Sequence, residues 1–223
     1  MFPTKKSAES CIPNPQKIFI SGEEILWYSI ENTTSTMDVA LELIYRGCPP
    51  WTAVTARYQT SGRGTHGRTW SSHTGKGLWL SLILPPPSYS GNLSGISLLA
   101  AGALVRTLEE FAECLFLIKY PNDIVVNDHK IAGIMVETAT NGDAVQSVIL
   151  GMGVNFRQTR EDFLKEGLHE ATSLLIETGS APDREKFLVS FIAHLKNRYE
   201  TTILEPDKVK TITNRSNGKL HVL

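Results

Sequence analysis

Between Phe116 and Met152 the chain passes through four strand-like stretches, Phe116–Lys119, Ile124–Asn127, Ile131–Thr138 and Val145–Met152. The links around Asn127-Asp128-His129 and Asn141-Gly142 have hairpin length and hairpin composition, and they are too short for the crossover that a parallel pair needs. Ile124 to Phe156 therefore reads as an antiparallel meander. Further strands precede it at Ile25–Ile30, Trp51–Tyr58 and Leu78–Leu84, the last halted by Pro85-Pro86-Pro87, which cannot donate to a ladder. Thr33-Thr34-Ser35-Thr36 opens a helix that runs through Tyr45, with Ser35 and Asp38 spaced as a capping box. Ser94–Leu115 and Asp183–Tyr199 repeat apolar residues at helical intervals. The fold class is α+β, a mixed, largely antiparallel sheet flanked by helices.

With 41% hydrophobic and 20% charged residues, the 223-residue chain can bury an ordinary core. A Pro-rich stretch at 1–24 is expected to be a mobile extension, 25–200 a single domain and 201–223 a short tail or a vestigial C-terminal domain. A net charge of -1 argues against wholesale nucleic-acid binding, while a local basic loop remains compatible with it. Cys11, Cys48 and Cys114 are scattered and odd in number, which fits neither a disulfide framework nor a zinc site. No run reaches membrane-spanning length, and residues 1–16 lack the apolar core of a signal peptide. The expected setting is the reducing cytoplasm, without a membrane partner.

Four constellations carry chemistry. Gly62-Arg63-Gly64-Thr65-His66-Gly67-Arg68-Thr69-Trp70 bridges two strands, and its glycines and arginines suit an anion, since glycine admits phosphate to the backbone and arginine offers a forked cation. Lys119-Tyr120-Pro121-Asn122-Asp123 displays a lysine, an amide and a carboxylate at a strand end, and Lys130-Ile131-Ala132-Gly133 follows a tight turn. Gly151-Met152-Gly153-Val154-Asn155 ends the meander with bare backbone against which a flat ring can lie. Taken singly, each has a plainer reading: a flexible connection, solvated lysines, turn amides, core tryptophans, and hydroxyls at Ser35-Thr36 that only cap their helix.

Taken together and in this order, the motifs resemble the catalytic domain of biotin protein ligases. The family's loop, roughly G-R-G-R-x-G-R-x-W after a glutamine, matches Gln59 and Gly62–Trp70 apart from one position. K-W-P-N-D appears as Lys119–Asp123, R-K-L-A-G-I-L-x-E as His129–Glu137, G-x-G-I-N as Gly151–Asn155, and S-T-N as Ser35–Met37. The resemblance covers about Ile25 to Tyr199 and implies a class II aminoacyl-tRNA synthetase/biotin synthetase-like catalytic domain. It also implies the reaction: ATP converts biotin to biotinyl-5′-AMP, and a lysine of a biotin carboxyl carrier protein, that of acetyl-CoA carboxylase or a related carboxylase, takes up the biotin. By resemblance Lys130, Arg63 and Arg68 are catalytic, and Ser35, Thr36, Gln59, Gly62, Arg63, Gly64, Trp70, Lys130 and Gly133 bind biotin. Arg63, Arg68, Trp70, Lys119, Asn122 and Asn155 face ATP or the adenylate, and Asp123 holds Mg²⁺. A homodimer through the sheets belongs to the same expectation.

Two departures matter. Thr65 stands where many members carry an arginine that orders the loop, so weaker retention of the adenylate is expected, and Met37 replaces an asparagine beside the ureido group. No DNA-binding helix-turn-helix is expected ahead of residue 25, and so no nucleic-acid partner. The alternatives are a lipoate ligase-like acyl ligase, against which the absence of an R-R-x-S-G-G-G stretch counts, and a non-catalytic sensor of biotin or nucleotide.

Overall fold

The computed structural model describes residues 12–72, 75–86, 93–142, 144–204, 213–216 and 219–222. Ten strands among them form a sheet in the order β1-β2-β3-β4-β8-β7-β6-β5-β10-β9. The strands are β1 (Gln16–Ile20), β2 (Glu23–Thr33), β3 (Ala53–Gln59), β4 (Leu78–Leu84), β5 (Leu117–Lys119), β6 (Asp123–Val126), β7 (His129–Asn141), β8 (Ala144–Val154), β9 (Thr213–Ser216) and β10 (Lys219–Val222). The helices are α1 (Thr36–Tyr45), α2 (Leu93–Phe111), α3 (Arg160–Lys165), α4 (Leu174–Thr178) and α5 (Arg184–Leu204). The pairings are antiparallel except β2 with β3, whose connection carries α1, the crossover length that a parallel pair demands.

The meander is present as β6-β7-β8. Asn127 and Asp128 both take positive φ, +48° and +66°, the backbone of a two-residue hairpin turn whose twist matches its strands. Within the stretch 1–24, β1 pairs with β2 from Gln16↔Trp27 to Ile20↔Glu23. Residues 1–11, including Cys11, lie outside the described residues. At the other end β10 pairs with β5 through Lys219↔Lys119 and Leu220↔Ile118. Among the described residues no helix is long and apolar enough to cross a membrane.

Strand alternation decides which face meets which helix. In β4 the even residues Leu78, Leu80, Leu82 and Leu84 enter the main core with α2 and α5, while Ile83 joins a second core under α1. β8 repeats the division, with Val148, Leu150, Met152 and Val154 on the main side and Ile149 under α1. Every residue of β4 is buried because helices cover both faces, which explains a continuous apolar run in an antiparallel sheet.

On the main side Phe187 of α5 stacks edge-on against Phe156 at 4.9 Å and tilted against Phe111 of α2 at 5.4 Å. Burial of each such ring stabilises by about 1.5–3 kcal/mol. Tyr199 closes the far end of α5: its ring meets Trp51 edge-on at 5.6 Å and its hydroxyl donates to the Pro85 carbonyl at 2.7 Å. Burial pushes the Tyr199 phenol up to about 12. Glu110 of α2 accepts from Ser190 and pairs with His194 of α5, and the Ser190 hydroxyl, helped by His194, holds its carboxyl below the ordinary carboxylate range.

Two outcomes are expected. Tyr199→Phe should cost about 1 kcal/mol in urea unfolding, because the half-buried Pro85 carbonyl then loses its donor. The depressed Glu110 value means that its contribution is full above the ordinary carboxylate range and is lost as pH falls through the lower folded-state value. Glu110→Gln should therefore narrow the stability difference between neutral and strongly acidic pH, measured by the same unfolding curves.

Candidate active site

The face of the sheet beneath α1 carries an open cleft. Its floor is set by the odd residues of the central strands. Ser81 lies opposite Gly151, Trp79 opposite Gly153, and Gly153 opposite Gly133. Gly151 and Gly153 are two residues apart along β8, so the Ser81 row and the Gly133 row are displaced by about 7 Å along that strand.

The Ser81 row is polar and buried. Ser81 Oγ donates to Thr36 Oγ1 at 2.8 Å, and Thr36 donates through its Oγ1 at 3.1 Å and its N–H at 2.8 Å to Gln59 Oε1. Gln59 Nε2 donates in turn to Ser72 Oγ at 3.2 Å. Ser35 is the N-cap of α1 and accepts from the Met37 N–H, but Asp38 does not complete a capping box: its carboxylate accepts from Thr34 Oγ1 at 2.9 Å and pairs with Arg63. Met37 points its sulfur at Gly151, where an added Cβ would meet Sδ at 2.7 Å.

The Gly133 row holds Trp70. A Cβ on Gly153 would fall 2.4 Å from the indole Cε2, and one on Gly133 would fall 2.7 Å from its Cζ3. The flat ring expected against this bare backbone is thus one of the protein's own, packed edge-on to Trp79 at 6.3 Å. The Trp70 Nε1 is buried without a partner. Lys130 Nζ stands 5.2 Å from the Trp70 ring centroid and 2.7 Å from Asp123 Oδ1. Its main chain is clasped on both sides, with the N–H donating to Glu170 and the carbonyl accepting from Thr172.

The loop closes as a small zipper. Trp70 N–H donates to Gly62, Gly64 N–H donates to Arg68, and Arg63 and Thr69 form an antiparallel bridge. A short 3₁₀ turn at Thr65–Gly67 caps it, with His66 and Gly67 at φ 57° and 71°. Arg68 folds back, Nε on the Thr65 carbonyl at 3.2 Å and Nη2 on its hydroxyl at 3.3 Å. Arg63 reaches Asp38 at 2.5 Å and Glu137 at 3.5 Å. Against the cost of partial burial, these two carboxylates raise the guanidinium's pKa.

Ser35, Thr36, Gln59, Arg63, Gly64, Arg68, Trp70, Asn122, Asp123, Lys130 and Gly133 therefore line one cleft. Gly62 is buried outside the lining, and a Cβ there would meet the Trp70 carbonyl at 2.5 Å. Asn122 spends its amide on the Ile134 carbonyl at 2.7 Å, so it ties β7 down as well as facing the cleft. Lys119 is exposed and outside the lining. Asn155 lines a neighbouring cleft that shares Thr69, Trp70 and Lys130 with the first. Its own amide is engaged by Thr172 and Gln158. Ser72 and Ser81 were not singled out from the sequence, although a lone hydroxyl inside Leu78–Leu84 is a signal for a polar contact. Among the described residues no three His, Cys, Asp or Glu side chains gather as a metal cage. Asp123 alone suits a magnesium ion that arrives with phosphate ligands of its own.

The sequence profile of the Biotin/lipoate A/B protein ligase family matches residues 29–155. The bifunctional ligase/repressor BirA of Bacillus subtilis is 37% identical over 194 residues, which is 87% of this chain and 59% of that protein. The biotin--[acetyl-CoA-carboxylase] ligase of Paracoccus denitrificans is 35% identical over 162 residues, 71% of this chain and 67% of that one. The biotin protein ligase from Aquifex aeolicus, solved in complex with biotin and ATP, superposes with a TM-score of 0.69 at 27% identity, over 81% of this chain and 72% of that one. The chain thus spans less than two thirds of the length of the Bacillus relative.

The glycine rows give a direct test. Gly153→Ala should displace the Trp70 indole and shift the protein's tryptophan emission, and the shift should vanish when Trp70→Phe is made in the same chain. An identical emission spectrum for Gly153→Ala would show that the indole does not rest on this backbone.

Proposed function

The chain belongs to the biotin/lipoate A/B protein ligase family, and from that footing we propose that it is a biotin protein ligase. It activates biotin with ATP to biotinyl-5′-AMP and passes the biotin to a lysine of a biotin carboxyl carrier protein, that of acetyl-CoA carboxylase or a related carboxylase. The observation that carries this reading is the polarity of the cleft: a buried hydroxyl and amide at Thr36 and Gln59, backed by Ser81, apolar walls at Met37 and Trp79, and Lys130, whose side chain reaches the Gly133 row two residues further along the sheet. Biotin has the same layout, with a ureido group that needs donors and acceptors, an apolar bicycle, and a chain ending in a carboxylate.

In the first step a biotin carboxylate oxygen attacks the α-phosphorus of ATP and the bond to the bridging β-oxygen breaks, releasing pyrophosphate. Both partners are anionic, so fixed cations lower the barrier. Lys130 is the central one, an ammonium on a strand-anchored main chain with Asp123 at 2.7 Å. Arg68 in the loop is the second. Asp123 would supply a hard oxygen to a Mg²⁺ ion brought by the triphosphate, which there would offset phosphate charge. Trp70 and Asn155 mark the adenosine end, since Trp70 is common to both clefts and Asn155 lines the second. In the second step a carrier lysine amine attacks the acyl carbon, AMP leaves, and the amine proton is lost.

Pyrophosphate release on mixing the protein with biotin and ATP tests the reading. Biotin-dependent release supports it, lipoate-dependent release supports the acyl ligase alternative, and none supports a sensor. Lys130→Ala should slow biotin-dependent release by about 100-fold or more while leaving the circular dichroism spectrum unchanged. Normal release would remove Lys130 from the site. The Thr65 contact to Arg68 is a weaker tether than a further arginine would be. More free biotinyl-AMP is therefore expected from the native chain than from Thr65→Arg, by chromatography of the quenched reaction, and equal release would discard the idea.

A further inference from the structure

The cleft contains an arginine whose charge is already spoken for. Arg63 was expected among the phosphate cations, yet its guanidinium reaches away from the loop to two carboxylates on separate elements: Asp38 in the first turn of α1 and Glu137 on β7. These partners lie 25 and 74 residues from it along the chain. Neither carboxylate belongs to the cleft lining, whereas Arg63 does. Asp38 is further aligned by Thr34 Oγ1. The forked guanidinium is the side chain suited to hold two carboxylates at once, and a lysine ammonium is a single point.

We propose that Asp38 and Glu137 form a two-carboxylate latch that grips Arg63 and holds the loop 62–70 in its place along the cleft. Gly62, which binds the Trp70 N–H, and the Arg63–Thr69 bridge transmit the grip to the rest of the loop, so both of its limbs are fixed when Arg63 is fixed. Arg63, Asp38 and Glu137 are positioning residues in this scheme. The inference rests on the ligase reading for its kinetic consequences alone, because the grip itself is made between the chain's own side chains. Arg63, Asp38 and Glu137 side chains are 36%, 47% and 36% exposed, so each pair is modest and sensitive to screening by salt.

The test uses Asp38→Asn, Glu137→Gln, the double variant and Arg63→Lys. Each single carboxylate change should raise the KM for biotin and the rate of adenylate release by about threefold, and the double change by about tenfold, with kcat within about twofold. In trypsin cleavage after Arg68, Arg63→Lys should resemble a single carboxylate variant, because one ammonium keeps one partner. Raising the salt should increase the biotin KM of the native chain more steeply than that of the double variant, in which the attraction of Lys130 and Arg68 for the anionic substrates is left to screen but the latch is not. A merely structural role would lower the thermal midpoint without producing that salt difference. A second readout needs no activity: trypsin cleavage after Arg68, followed by mass spectrometry, should be several-fold faster in the double variant than in the native chain. Equal cleavage rates overturn the latch. Faster cleavage in a protein that releases no pyrophosphate with biotin and ATP keeps the latch and overturns the ligase reading.

Discussion

A hydroxyl buried inside an apolar strand must find an acceptor, and much of the cleft follows from where Ser81 finds one. Its Oγ donates to Thr36, whose hydroxyl and N–H both donate to Gln59. That chain fastens the first turn of α1, the last residue of β3 and the middle of β4 to one another. An unmade hydrogen bond at such depth costs about 1–3 kcal/mol, so each member holds the others in place. The loop that starts at Gly62 leaves from this fastened corner, with Gln59 reaching Ser72 at its far limb. The mouth of the cleft is thus hung on the same polar chain that gives its deep end hydrogen-bonding character.

The opposite row works by subtraction. Gly133 and Gly153 face one another across β7 and β8, and the absence of two Cβ atoms leaves a slot that the Trp70 indole fills. Lys130 then lies over that ring, between an aromatic face and the Asp123 carboxylate. A cation is stabilised in both settings, and neither surrounds it completely, so its remaining donors stay available to an incoming anion.

Legibility in the sequence followed the range of the interaction. Leu78–Leu84 was readable residue for residue, since a run bounded by glycine and prolines carries its own limits. The meander was readable because its turns are short and their residues tolerate positive φ. The motif glycines pointed to a flat ring, but not to Trp70 as that ring, because a contact between residue 70 and residues 133 and 153 leaves no local trace. The partners of Arg63 were hidden for the same reason: nothing near Asp38 or Glu137 in the chain marks either as a counter-charge. β1 escaped notice because Gln16–Ile20 follows prolines and is short, and its strand state depends on pairing with β2. Lys119 shows the converse, a motif residue that remains on the exposed outside.

The clasp on the Lys130 main chain has one more implication. A lysine on a free loop samples positions through both backbone drift and side-chain rotation, and its ammonium sweeps a broad volume. Here Glu170 and Thr172 grip the peptide groups on either side, so the ammonium moves only as a tethered arm about a stationary pivot. The reach of its charge is then a matter of side-chain length, fixed to within a rotamer, and the segment 168–172 serves as the bracket that sets where the arm is mounted.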